Sequence, residues 1–69
     1  MKVYKNEIVK FKKGKNPEQG YKYGIVHYTG DFWIVDVTPC KDEDGNNISD
    51  NSGPAYTADF MHTGNRIDS

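Results

Sequence analysis

The groups able to do chemistry in this 69-residue sequence are few and scattered. Cys40, His27 and His62 are the only soft metal ligands and the only nucleophile–base candidates of the Cys–His type. Zinc wants four ligands, usually in close pairs; these three are singles, 13 and 22 residues apart along the chain. A Cys–His catalytic pair needs an imidazole beside the thiol to ionise it, and the spacing puts none there. The expected positions are His27 on the outer face of a sheet and His62 beside Asp59 on a helical turn. No catalytic residue, metal or cofactor is assigned, because a domain this small rarely encloses the water-excluding pocket that catalysis needs.

The acidic run Asp42-Glu43-Asp44-Gly45-Asn46-Asn47-Ile48 invites comparison with a calcium loop. Aligning Gly45 with the turning glycine of such a loop puts Asp42 and Asp44 on ligand positions. Cys40 then falls on the first ligand site and Asn51 replaces the bidentate Glu. A solvated turn with at most weak calcium affinity is the expectation. Gly14 and Gly20 bracket Lys15-Asn16-Pro17 without the phosphate-loop pattern or its Lys-Ser/Thr. Asn47-Ile48-Ser49 matches a glycosylation acceptor, which is irrelevant in a reducing compartment.

Charge is the broader signal. Met1 to Tyr23 carries seven lysines and two acids, a balance of +5, whereas Gly24 to Ser69 carries eight acids against Lys41 and Arg66, a balance of −6. Lys10, Lys12, Lys13, Lys15 and Lys22 gather at the first strand and its loop, with Tyr21 and Tyr23 close by. Cations interleaved with aromatics on a β-surface suit single-stranded nucleic acid: lysines meet phosphates while rings stack on bases. Aromatics at alternate strand positions also serve as core, and opposite ends of one small domain neutralise each other across its surface. A basic patch with an acidic remainder equally suits a protein partner bearing both signs.

The elements that position these groups follow from period-two patterning. One domain spanning 1–69 is expected, since a chain this short cannot divide into two cores. No apolar run approaches a membrane span and no basic-then-apolar start marks a secretion signal. The single Cys precludes an intramolecular disulfide, and a cytoplasmic location is expected. Glu7 to Lys12 alternates, with Val9 and Phe11 on one side and Lys10 and Lys12 on the other. Gly14 to Gly20 is a loop, and Tyr21–Thr29 and Phe32–Thr38 are two further strands rich in Tyr, Val, Ile and Trp.

Gly30-Asp31 between those strands reads as a two-residue hairpin turn. That turn pairs Thr29 with Phe32, Tyr28 with Trp33, His27 with Ile34, Val26 with Val35, Ile25 with Asp36 and Gly24 with Val37. Opposite residues share a face. Val26, Tyr28, Trp33, Val35 and Val37 then form a core, with Gly24 leaving room. Ile25, His27, Thr29, Phe32, Ile34 and Asp36 fall on the second face, which is mixed; its large apolar groups, Ile25, Phe32 and Ile34, need a cover: loops, a second copy or a partner. Pro39 to Pro54 is a long polar loop, with Asp44-Gly45 as the tip of a wandering hairpin and Ile48 returning. Thr57 is placed to N-cap a single turn, Phe60 packs inward, Gly64 ends the turn, and Arg66-Ile67 add a last short strand.

This order of elements resembles an SH3-like barrel: strand, long loop, Gly-x-Val strand, tight hairpin, strand, connection, then one helical turn before a closing strand. Gly24-Ile25-Val26 is similar to the Gly-x-Val of KOW-type modules. Trp33-Ile34-Val35-Asp36-Val37 carries the central strand, and Ala58-Asp59-Phe60 is similar to the acidic-plus-hydrophobic turn before the final strand. The resemblance covers residues 3 to 67 and implies an all-β, five-stranded small barrel. Such barrels serve translation and transcription factors, chromatin readers, peptide-binding modules and small phage proteins. The Ala-Leu-Tyr-Asp-Tyr start and paired tryptophans of the proline-peptide type are missing here. The expected function is non-catalytic binding of a protein partner through Ile25, His27, Phe32 and Ile34 together with the Lys-rich first loop, whose lysines steer the approach, as in phage-encoded accessory proteins that block host machinery. The chain is expected as a monomer or weak homodimer. The rival class is nucleic-acid binding through the lysines and Tyr21 and Tyr23.

Overall fold

The computed structural model describes residues 1–67. Alternation makes the strands. In β2 (Glu7–Phe11) Val9 and Phe11 turn to the core and Lys10 to solvent. β3 (Tyr23–Val26) and β5 (Ile34–Cys40) follow the same rule, sending Val26, Val35 and Val37 inward. The remaining elements are β1 (Lys2–Val3), β4 (Gly30–Asp31), β6 (Gly53–Tyr56), a 3-10 turn (Thr57–Asp59) and β7 (Phe60–Arg66). Five strands form one antiparallel sheet in the order β6-β5-β3-β2-β7, while β1 pairs separately with β4. Among the described residues β6 and β7 stand at the two edges and do not pair with each other, so hydrogen bonding does not close the sheet.

The principal core joins Val3, Val9, Phe11, Val26, Val35, Val37, Ala55 and Phe60. Phe11 meets Phe60 edge-on, with centroids 5.9 Å apart, an arrangement that suits the ring quadrupoles. Gly24 provides the room for this: a Cβ there would lie 3.0 Å from the Phe11 ring.

Gly30-Asp31 is not the hairpin tip. It is strand β4, paired with the chain's own beginning: Lys2 faces Asp31 and Val3 faces Gly30. The terminal ammonium meets Asp31 at 2.9 Å, and Phe32 N–H donates to the Met1 carbonyl. A local hairpin reading cannot see a partner about thirty residues away, and that partner draws the 27–33 segment out of the β3–β5 ladder. The register of the ladder is Val26 with Val37 and Ile25 with Thr38. It differs from the tight-turn register by two residues. A two-residue shift leaves every side chain on its face, so Val26, Val35 and Val37 remain core. Tyr28 and Trp33, expected in the core, instead lie outside the ladder at 53% and 72% exposure.

Ile25 corrects the second-face expectation, since it is only 6% exposed. It joins Ile8 and Cys40 in a second cluster, with Tyr23 and Ile67 packed against it. β5 also runs further than expected, through Pro39 to Cys40, so the irregular loop is 41–52. The His27 N–H donates to the Asp36 carbonyl, which makes 27/36 a bonded pair and Gly24/Pro39 a non-bonded one. The missing N–H of Pro39 therefore points away from β3 and beyond the last β6 pairing at Gly53, where no ladder bond is lost.

At the 3-10 turn Tyr56, not Thr57, holds the cap position. The Thr57 hydroxyl donates instead to the Phe32 carbonyl at 2.9 Å. Phe60 is buried, and Gly64 lies inside β7 rather than ending the turn. His62 is on β7, where its Nδ1 meets Glu7 Oε2 at 2.6 Å, rather than beside Asp59.

Candidate functional site: an apolar groove beside the 27–33 connection

The second face of the sheet is covered at one end only. The 41–52 loop folds over Ile8, Ile25 and Cys40, and Gly45 packs so closely that a Cβ would fall 2.6 Å from Ile67 Cδ1. The Asp42 carboxylate holds this loop by accepting from Asp44 and Asn46 N–H, both at 3.0 Å. Those bonds, that of Asn46 foremost, keep the Asp42 carboxyl below its ordinary range. Asp42 Oδ1 is thus engaged by two backbone donors of its own loop. Among the described residues no group of three His, Cys, Asp or Glu is arranged to hold a metal ion.

At the other end the face is open. Ile34 and Asp36 project from β5, Pro54 from β6 opposite Asp36, and Tyr28 and Phe32 come from the connection. Together they line a cavity of about 350 Å³. Phe32 is 40% exposed and Ile34 partly so. Beside them Trp33 stacks on Tyr56, with centroids 5.7 Å apart and an interplanar angle of 27°. The wall is anchored at both ends of Phe32: its N–H to Met1, and its carbonyl to the Thr57 hydroxyl. Thr57 N–H also donates to the Trp33 carbonyl. The groove is thus shaped before any ligand arrives.

Of the residues expected to meet a protein, Phe32 and Ile34 stand together in this groove. His27 is half-buried, its Nε2 2.5 Å from Thr38 Oγ1, and Ile25 is inside. Sequence reasoning placed Asp36 on this face without making it a site residue, and missed Tyr28 and Pro54. The alternation along β5 already put Asp36 beside Ile34; Pro54 needed the β5–β6 register, and Tyr28 was misplaced by the assumed turn.

The lysines lie elsewhere. Lys10 sits on β2 between Tyr23 and Met61, and Lys12, Lys13, Lys15 and Lys22 are exposed around the 12–22 loop. That loop joins β2 to the start of β3, whereas Phe32 follows the end of β3, so the two candidate surfaces occupy opposite ends of that strand. Lys41 Nζ lies 5.1 Å from the Tyr21 ring centroid, and Tyr23 packs against the second cluster. Lys41 thus covers one face of the Tyr21 ring, and Tyr23 is partly buried. Cys40 is fully buried; burial, followed by the nearby Asp42 charge, pushes its thiol up to about 11. Both imidazoles are bonded elsewhere, His27 to Thr38 and His62 to Glu7.

No helix among the described residues is long and apolar enough to cross a membrane. No family model, curated protein or solved structure matches the chain.

Proposed function

We propose that this chain is a non-enzymatic binding module that docks a protein partner in the groove of Tyr28, Phe32, Ile34 and Pro54. One observation carries the reading: the chain's own loop covers half of the second face, while the other half keeps large apolar groups open around a pre-shaped cavity. Aromatic anchors at a concave site are where interface energy concentrates. The succession β2, long loop, β3, β5, β6, single turn, β7 supports an SH3-like barrel as the architecture, and fold alone selects no ligand. Exposed lysines without ion pairs among the described residues favour the alternative, an anionic nucleic acid held at the opposite end. Lys41 over one face of Tyr21 and the partial burial of Tyr23 weigh against base stacking there.

The test is a pull-down with the wild type, Phe32→Ala, Ile34→Asp and a Lys12→Glu/Lys13→Glu variant, each with and without nuclease. A protein that survives nuclease and moderate salt, binds the lysine variant, and is lost with both groove variants supports the reading. Truncating Phe32 is expected to weaken capture by about 2 kcal/mol, roughly thirtyfold. Partners lost to nuclease or to the lysine variant, yet kept by Phe32→Ala, would establish the nucleic-acid alternative.

A further inference from the structure

We infer that the protein docked on this face is a second copy of the chain, related by a two-fold axis, with Trp33 of each copy seated in the groove of the other. This rests on the protein-docking reading and names the partner. The apolar surface is wider than the groove. Tyr56 lies opposite Ile34 across the β5–β6 ladder and so shares its face, and Trp33 stacks on Tyr56. Tyr28, Phe32, Ile34 and Pro54 therefore continue into Tyr56 and Trp33. At 72% exposure, Trp33 is the most exposed large apolar side chain among the described residues.

Area and charge select the occupant. With exposures between 40% and 72%, Tyr28, Phe32, Trp33 and Tyr56 leave roughly 400 Å² in water, taking ~150–250 Å² for a whole aromatic side chain. An ordinary monomer's largest apolar patch is about 300–600 Å², and here that much is gathered on a chain of 69 residues. Two such patches face to face remove about 800 Å², and Ile34, Pro54 and the surrounding rim bring the total near the ~1,200 Å² at which stable interfaces begin. None of these six residues carries a formal charge, so a two-fold axis through the patch sets no like charges against each other. Asp36, the one charged residue of the groove lining, is solvent-exposed and keeps its water at the rim of such a contact. A net charge of −1 adds little repulsion between copies.

A two-fold contact is self-complementary, so a projection on the chain must meet a recess on its own copy. Trp33 and the cavity of about 350 Å³ beside it supply the two, and a cavity of that volume is within the range usual for ligand sites. The competing mode is an extended peptide that adds a strand to the neighbouring edge, and β6 resists it. The 27/36 bond turns the Asp36 backbone toward β3, so Val35 and Val37 bond to Ala55 and Gly53. The Pro54 nitrogen then faces outward and carries no hydrogen to donate. Side chains, not edge backbone, make the contact.

The experiment is sedimentation of the full chain over a concentration series, with tryptophan emission followed in parallel. Trp33 is the only tryptophan in the sequence, so its emission reports this site alone. The mass is expected to rise toward twice that of the chain with a Kd of about 10–500 µM, and the emission to move to shorter wavelength in step. Each substitution counts twice across a two-fold axis, so Trp33→Ala should raise Kd at least about hundredfold. Tyr56→Lys brings a cation into each half of the contact and should abolish the dimer. The Lys12→Glu/Lys13→Glu variant, changed at the opposite end, should keep the parent Kd. Every variant must retain the circular dichroism spectrum of the parent, which separates loss of a contact from loss of fold. A monomer up to about 1 mM, a dimer whose emission does not move, or a dimer undiminished by Trp33→Ala would overturn the inference. If the chain stays monomeric while Phe32→Ala still loses a captured protein, the docking reading survives and the second copy is not the partner. A dimer lost with Trp33→Ala but kept by Phe32→Ala would put the contact on the Trp33–Tyr56 stack and overturn the groove as its seat.

Discussion

Substituting alanine at Gly45 asks for two things at once, and the structure separates them. Gly45 has φ +81°, a conformation that costs an L-residue about 1–2 kcal/mol. Its missing Cβ is also the space Ile67 uses, since a methyl would stand 2.6 Å from Cδ1 and 3.4 Å from Ile8 Cδ1. Gly14 is the natural control: φ is +76° and nothing lies within 4 Å of a Cβ built there. Gly14→Ala therefore carries the backbone cost alone, about 1 kcal/mol. Gly45→Ala adds an overpacking cost of ~1 kcal/mol, at the lower end of the usual range because Ile67 is half-buried and the Cδ1 end of its side chain can shift. For a domain of this size about 1 kcal/mol moves the melting temperature by ~4–8 °C. Thermal unfolding followed by circular dichroism should show Gly45→Ala melting below Gly14→Ala by that interval. An Ile67→Ala background should erase the interval, because the clash partner is gone. Equal melting temperatures for the two alanine variants in the parent background would refute the claim that the 41–52 loop seals the second cluster against Ile67. The second face would then be open along its length, and the groove would lose its defined end.

Two further outcomes follow from the titrating groups. Cys40 is buried with its thiol raised to about 11, so the native protein should react with a thiol reagent at pH 8 only as fast as it unfolds. Rapid stoichiometric labelling of folded protein would contradict the burial. Asp42 has a depressed folded pKa; its contribution is present above the ordinary carboxyl value near 3.8 and is lost as pH falls through the lower folded value. Asp42→Asn should flatten the acid limb of a stability-against-pH curve measured by urea unfolding. An unchanged limb would show that the loop bonds of Asp42 do not persist in solution.

Much of the strand pattern was legible because side-chain alternation is local. Val9 and Phe11 against Lys10, and Val35 and Val37 against Asp36, needed only the pleat. The short turn with Phe60 packing inward was read from a cap signal at Thr57; the turn forms, although Tyr56 holds its cap position. The errors cluster where a distant segment competes with a local rule. Gly30-Asp31 has the composition of a tight turn, yet Lys2-Val3 supplies a strand for it to pair with, and the ladder then starts two residues lower. Ile25 looked exposed because nothing nearby in sequence covers it; the cover is the 41–52 loop together with Ile67. Glu7 and His62, 55 residues apart, were invisible as a pair for want of the β2–β7 register.

The amino-acid order by itself determined an all-β chain, which residues of each strand share a face, and the poverty of groups able to catalyse. These are consequences of backbone geometry and residue type, and they hold whatever the strands pair with. Tertiary structure decided which half of the second face is covered and that Tyr28 joins Phe32 and Ile34 as the wall of a cavity. Those facts depend on loop closure and on pairings between segments far apart in the chain. Their free energy comes from contacts that no local pattern contains.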